Sequence, residues 1–379
     1  MNMECSTIDW IFLNFGKVCR KIGIGQLIAS KLAIRAKKKK KVVINVNKDL
    51  SLYSVKSDGK ATILRDKSWN VVKKFDLQII IPAFNSEKYI QECVESIINQ
   101  KCDYMWQMIV VDDGSTDRTL EILKRYLVDE RIVVISQKNQ GAAAARNKGI
   151  ENVSSKYLMF VDSDDILEPG AIQKLMQCAY RNDVDVVEGN FYDWKNGKKR
   201  QASFSKTAVV TDPINQLLGF PCGKVFRTEL FKKIQFPKGF LFEDSIISFL
   251  ILPQVHIAWT IEDVVFAYRR FEMSTTYRTK KNIKSVDTCY ILNEMYEAAD
   301  ILGIDIIQLY DLSLSHIKLS YERISKFNRE IRECCFCYFC RVVNEKFRNI
   351  SSKRKELKNI DVAIKDYNFQ LYEIIGRFE

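Results

Sequence analysis

The chain has 379 residues, 28% of them charged and 47% hydrophobic, with a formal net charge of +12. This balance excludes a disordered chain, and the length allows one large domain with a smaller companion or two of moderate size. The positive charge points to an anionic partner without choosing among nucleic acid, a membrane face and phosphorylated substrates.

The 11 cysteines form no regular framework and the N-terminus lacks the charged, apolar, small-residue order of a cleavable signal, so a reduced, cytoplasmic protein is expected. Lys17, Arg20, Lys21 and Lys31 interrupt the apolar positions near the N-terminus, and a membrane-spanning helix is not expected. Ile8, Ile11, Phe12, Phe15, Val18, Cys19 and Ile22 follow helical spacing until Gly23 and Gly25, and residues 37–41 are all lysine. Helix and lysine run together read either as an anchor on an anionic membrane surface or as a helix packed on the body beside a solvated charge run. Residues 42–74 read as a β-rich connector with a turn at Ser57-Asp58-Gly59.

From Phe75 strands and helices alternate. Apolar runs at 77–81, 108–111, 131–135 and 157–161 lack period-2 alternation, as strands covered on both faces do. Ile90, Cys93, Val94, Ile97 and Ile98 predict a helix between the first two strands. A second follows Asp117, with Leu120, Leu123 and Leu127, and another opens at Pro169 and turns Ile172, Leu175, Met176 and Ala179 inward. The alternation predicts an α/β, Rossmann-like, mostly parallel sheet with helices on both faces. No proline follows Pro253, and Tyr310, Leu314, Ile317, Tyr321 and Ile324 recur at helical spacing, so the chain is expected to be helical from about Asn282.

Ligands of such sheets sit outside the carboxyl ends of the strands. Here those ends read "IIIPAFNSE", "VVDDGSTD", "ISQKNQGAAAARN" and "FVDSDD", which predicts one polar crater. Asp112-Asp113 alone could be a solvated turn with Asp117 capping the next helix. Asp162-Ser163-Asp164-Asp165 is more pointed, because crowded carboxylates raise one another's pKa unless a cation is present, and hard oxygen ligands suit Mg²⁺ or Mn²⁺ beside a diphosphate.

The run "IIIPAFNSEKYIQECVESIINQ... IVVDDGSTDRT... NQGAAAARNKGI... YLMFVDSDDILEPGAI" resembles the catalytic domain of the family 2, GT-A-type inverting glycosyltransferases, of the non-processive bacterial surface-polysaccharide kind. Farther on, "GKVFRTELFKKIQFPKGFLFEDSIISFLI" and "AYRRFEMSTTYR" are similar to that family's acceptor half and to the loop over its donor diphosphate. The resemblance implies a basic N-terminal extension over 1–74, a GT-A catalytic domain over 75–281, split into a nucleotide-sugar half (75–190) and an acceptor half (191–281), and a helical region over 282–379.

It also implies roles. Pro82, Ala83, Asn85 and Glu87 would line the nucleotide pocket, and Asp113 with Asp112 would accept from the base or ribose. Lys138, Asn139 and Gly141 would flank the base, Arg146 would face the nucleotide or hold an aspartate, and Asp162 would touch the ribose or sugar. Asp164 would ligate Mn²⁺ or Mg²⁺, and Arg269, Arg270, Ser274 and Thr276 would close the diphosphate charge. Asp244 would be the base that deprotonates the acceptor, with Glu243 its nearest rival; the pair could instead cap a helix. The implied partners are a nucleotide-sugar donor, UDP-linked, a glycan or lipid-linked saccharide acceptor, and an anionic membrane face on the inner side of the plasma membrane. The helical C-terminal region would be the place for an oligomer contact.

The chain lacks the Gln-x-x-Arg-Trp motif of processive relatives. An Asp-x-Asp phosphatase would carry its motif on the first strand followed by Thr or Val, whereas Asp165-Ile166 follows here. No aromatic-interleaved basic motif supports nucleic-acid binding. A catalytically silent sugar-nucleotide-binding or scaffold protein is the remaining alternative. Cys334, Cys335, Cys337 and Cys340 lack zinc-knuckle spacing and read as core thiols, and His256 and His316 as structural.

Overall fold

The computed structural model describes residues 32, 62–65, 73–271 and 282–378. The chain divides into two compact units, Ala61–Phe271 and Glu272–Glu379 with Met1–Lys60. The N-terminal helix, the lysine run, the Ser57 turn, Ser274 and Thr276 lie outside the described residues.

In the first unit the four expected strands form as β1 (Phe75–Ala83), β2 (Trp106–Asp112), β3 (Ile132–Ser136) and β4 (Ser155–Phe160). They pair in parallel in the order β3-β2-β1-β4. Ile79, Ile80 and Ile81 are fully buried, which explains the unbroken apolar run: neither face of the strand meets water. Helices α1 (Ile90–Ile98), α2 (Thr119–Lys124), α3 (Ala142–Glu151) and α4 (Ala171–Asn182) connect or cover these strands. Gly149 lets α3 lie close on β1, since a Cβ there would come within 2.4 Å of Ile80 Cγ2. Two local expectations shift. Leu127 lies past the end of α2 and is half exposed, and α4 begins at Ala171, because Gly170 adopts a left-handed conformation between Pro169 and the helix.

Beyond β4 the strands run in both directions. β5 (Ile166–Leu167), β6 (Val186–Lys195), β7 (Lys198–Gln201), β8 (Ala208–Val210), the one-turn helix α5 (Pro213–Gln216), β9 (Lys224–Arg227) and β10 (Ala258–Arg270) extend the order to β4-β9-β6-β10-β5. β9 is antiparallel to both neighbours, so β6 and β10 point the same way as β1 to β4. Their carboxyl ends therefore face the same sheet edge. Residues 62–65 lie along 233–235 through the bridge of Leu64 to Ile234 and hydrogen bonds from Arg65 N to the Lys233 carbonyl and from Gln235 N to the Ile63 carbonyl.

The second unit is helical, as the proline-free tail predicts: α6 (Asp287–Leu302), α7 (Tyr310–Ile324), α8 (Arg329–Lys346), α9 (Lys358–Lys365) and α10 (Phe369–Phe378). Tyr310, Leu314, Ile317, Tyr321 and Ile324 are all buried, and so are the four clustered cysteines of α8, which form no disulfide among the described residues. His316 is buried against Thr288, while His256 is exposed. No helix among the described residues is long and apolar enough to cross a membrane.

Candidate active site

The strand order reverses between β1 and β4, where an open α/β sheet opens a crevice at its carboxyl edge. Every acidic strand end of the sequence arrives there. At the end of β1, Pro82 and Ala83 lie on the strand, and Asn85 adopts a left-handed φ of 48°. That turn aims Asn85 Oδ1 at the Thr116 N–H, which donates to it at 2.8 Å, and Ser115 Oγ accepts from Asn85 N at 3.0 Å. Glu87 Oε2 accepts from the Arg118 N–H at 3.1 Å, and Asp117 Oδ1 accepts from the first N–H of α2 at 2.9 Å. Asn85 and Glu87 thus tie the exit of β1 to that of β2.

Asp113 is almost fully buried, and its carboxylate accepts from Gln137 Nε2 (2.7 Å), Gln140 N (2.9 Å) and Gly141 N (2.7 Å). It organises the loop holding Lys138, Asn139 and Gly141, which itself is exposed. Gly114 permits this packing: its φ is +74°, and a Cβ would lie 2.8 Å from Asn139 N. Asp112 is as buried as Asp113, and among the described residues its carboxylate accepts one long hydrogen bond, from Ser115 N at 3.3 Å.

Arg146 leaves α3 almost wholly buried and forks between two carboxylates: Nη1 donates to Glu243 Oε1 at 2.7 Å, and Nη2 to Asp162 Oδ1 at 2.8 Å. Burial opposes its charge, but Asp162 and Glu243 outweigh that cost and leave its pKa raised. The guanidinium joins the β4 end to the segment that carries the candidate base. Phe242, just before the pair, has a φ of 65°, a strained setting for a bulky residue. Asp244 is half-buried and its carbonyl accepts from Ile247 N at 2.9 Å as the chain enters the helical turn Ile247–Ile251.

The acidic turn after β4 carries more negative charge than it can comfortably hold. Burial and the neighbouring Asp162 push Asp164 up to about 6, and burial with Asp164 and Asp162 raises Asp165 well above the carboxylate range. Asp165 Oδ1 accepts from Arg269 N at 2.9 Å, while its buried Oδ2 has no partner among the described residues. Excess charge plus an unpartnered oxygen fits a divalent cation bound through carboxylates. Oxygens of Asp162 and Asp165 lie within 4.8 Å of Cys222 Sγ, but burial raises that thiol and a neutral sulfur does not suit a hard ion.

Arg269 and Arg270 sit differently from one another. Arg269 Nε donates to the Asp164 carbonyl at 2.8 Å, its Nη2 pairs with Glu92 at 2.5 Å, and the guanidinium lies 3.9 Å from the Trp194 ring. It braces the acidic turn from behind. Arg270, half exposed, pairs with Asp193 at 2.5 Å.

Two features left no local mark in the sequence. Besides Gly141, Asp113 accepts from Gln137 and Gln140, which the sequence did not single out in that loop. Lys224, fully buried, pairs with Glu188 at 2.7 Å and donates to the Phe220 carbonyl at 2.8 Å, fixing the segment before β9. Only an isolated lysine in an apolar strand hinted at this.

A sheet with a parallel first half, a mixed second half and acids at the carboxyl edge is the GT-A-like fold. S. aureus TarS 1–349, in complex with UDP, shares it with a TM-score of 0.61 at 22% identity, over 79% of this chain and 90% of that one. Residues 78–235 match the model of Glycosyl transferase family 2. The glycosyltransferase GlyG of Streptococcus pneumoniae serotype 4 is 28% identical over 287 residues, covering 69% of this chain and 94% of GlyG. A poly(ribitol-phosphate) beta-glucosyltransferase of Bacillus spizizenii is 34% identical over 171 residues, only 27% of its own length.

Proposed function

We propose that the protein transfers a single sugar, with inversion, from a UDP-sugar to a hydroxyl of a glycan or lipid-linked acceptor in cell-surface polysaccharide assembly. The observation that carries this is the Arg146 fork, which couples Asp162 at the donor strand end to Glu243 beside the candidate base. Residues 75–190 act as the donor half and 191–281 as the acceptor half. The polymers named for relatives such as the Bacillus spizizenii enzyme support a surface-glycan setting.

In this reading Pro82 and Ala83 form the pocket floor and the exposed Lys138–Gly141 loop flanks the base. Asp113 holds that loop, so the nucleoside contact falls to Asp112, whose carboxylate is nearly unengaged. Asp164, with Asp162 beside it, would hold Mn²⁺ or Mg²⁺, which supplies positive charge to the leaving diphosphate. Arg146 holds Glu243, and its neighbour Asp244 would take the proton from the acceptor hydroxyl as the new bond forms on the face opposite the leaving group. Arg269 keeps the acidic turn in place, and Arg270, Ser274 and Thr276 belong to the segment expected to cover the diphosphate.

The test is a sugar-nucleotide screen with and without Mn²⁺, followed by two variants. Asp164→Ala is expected to lose metal-dependent donor binding, and Asp244→Asn to bind donor and fail in transfer. Unchanged turnover by Asp244→Asn removes that residue as the base.

A further inference from the structure

Strands β6 and β7, beside the end of β10, build a basic ribbon whose Lys195, Lys198 and Arg200 the donor chemistry does not use. Val186 of β6 and Leu158 of β4 are level, since both pair with Phe226, so β6 passes the end of β4 at Glu188. Its last residue, Lys195, lies farther along by about 20 Å at ~3.3 Å per residue. The ribbon therefore rises from the same carboxyl edge as the crater. The left-handed pair Asn196 (φ 50°) and Gly197 (φ 74°) closes the hairpin into β7.

Cross-strand pairing decides which side chains share a face. Lys195 lies opposite Lys198 and Asp193 opposite Arg200, while Arg270 is level with Lys195. Trp194 and Lys199 alternate to the other face, where Arg269 stacks on Trp194 and Lys199 pairs with Glu168. One face is thus neutralised and packed, and the other gathers Lys195, Lys198, Arg200 and Arg270 around one carboxylate, Asp193. Arg270 takes that carboxylate. Lys195, Lys198 and Arg200 are exposed and have no ion-pair partner among the described residues. Lys198 and Arg200, two apart on one strand, stand ~7 Å apart, a spacing that suits a chain bearing a negative charge every few bonds rather than one small anion.

We propose that this outward face of β6 and β7 is the track on which a phosphate-bearing acceptor chain lies as its end enters the crater. The proposal rests on the glycosyltransferase reading above and names the acceptor class for it. Charge complementarity selects the occupant: the face carries unpaired cations and no apolar patch, with Phe204 beyond β7 and Val209 on β8 the only large apolar side chains strongly exposed nearby among the described residues.

The experiment measures binding of the full-length protein to a fluorescent synthetic glycerol-phosphate oligomer, without donor, across a salt series. The triple variant Lys195→Glu/Lys198→Glu/Arg200→Glu is compared with Lys353→Glu/Lys355→Glu/Lys358→Glu, which makes the same charge change in the helical unit. The ribbon variant should bind at least 10-fold more weakly and its log Kd against log salt slope should fall by about 2, as lost backbone-phosphate contacts require. The control should lose less than 2-fold. Equal losses in both triples, or none in the ribbon triple with unchanged circular dichroism, overturn the proposal. So does loss of binding to phosphatidylglycerol vesicles with oligomer binding intact, which would make the ribbon a membrane contact. Because no donor is present, failure here leaves the UDP-sugar reading standing, and failure of the donor screen leaves this measurement unaffected.

Discussion

Arg146 Nη1 lies 2.7 Å from Glu243 Oε1, although the two residues are 97 positions apart in the chain. The same guanidinium holds Asp162, so one buried cation sets the distance between the end of β4 and the segment with Glu243 and Asp244. Arg146→Ala strands both carboxylates and should destabilise the first unit by about 3–5 kcal/mol, read by urea unfolding. Arg146→Lys keeps the charge but not the fork, and should recover part of the stability while leaving transfer impaired. Wild-type stability and turnover in Arg146→Lys would show that the fork geometry is immaterial.

The two neighbours at positions 243 and 244 should separate in their effects. Asp244→Asn should lower transfer by about 10²–10⁴-fold with donor binding retained, the range for a lost general base. Glu243→Gln should act through stability and Arg146, with a smaller fall in turnover and a lowered melting temperature. Steady-state kinetics with calorimetric donor binding distinguishes the two.

Asp113 is expected to act through the loop it grips. Asp113→Ala removes the acceptor for the Gln140 and Gly141 N–H groups, at about 1–3 kcal/mol for each if it stays buried. Donor affinity should weaken, and hydrogen exchange at those two amides should accelerate. Weakened binding with protected amides would instead mark Asp113 as a direct ligand.

Asp164 exchanges stability for binding. Its folded pKa, raised to about 6 from 3.8, means its contribution is full below the unfolded value and is lost as pH rises through 6. Asp164→Asn should therefore stabilise the metal-free protein at neutral pH, on the order of 2 kcal/mol. Mn²⁺ should raise the melting temperature of the wild type and not of the variant.

His316 has the opposite dependence. Burial, with Arg323 nearby, lowers its pKa to about 3 from 6.5, so the folded chain refuses a proton that the unfolded chain accepts. Its contribution is full above the unfolded value and is lost as pH falls toward 3, at about 1.4 kcal/mol per pH unit. Acid titration of His316→Gln should show a shallower loss, by about 2 kcal/mol between pH ~6.5 and ~5.

Local patterning determined the β1 to β4 core, the covering helices, the helical tail and the gathering of acids at one edge. These follow from which side chains must avoid water and which residues a strand end tolerates, and both are written within a few positions of each other. Tertiary structure alone decided how those acids divide their work. Asp112 and Asp113 are adjacent, chemically identical and equally buried, yet one is gripped by a loop 24 to 28 residues away and the other accepts a single long hydrogen bond from Ser115 N among the described residues. Arg146 likewise reads as one basic residue on an alanine-rich helix until folding brings Asp162 and Glu243 to its two nitrogens. The reason is physical: burial and hydrogen-bond partners set a carboxylate's role, and both come from segments distant in the chain.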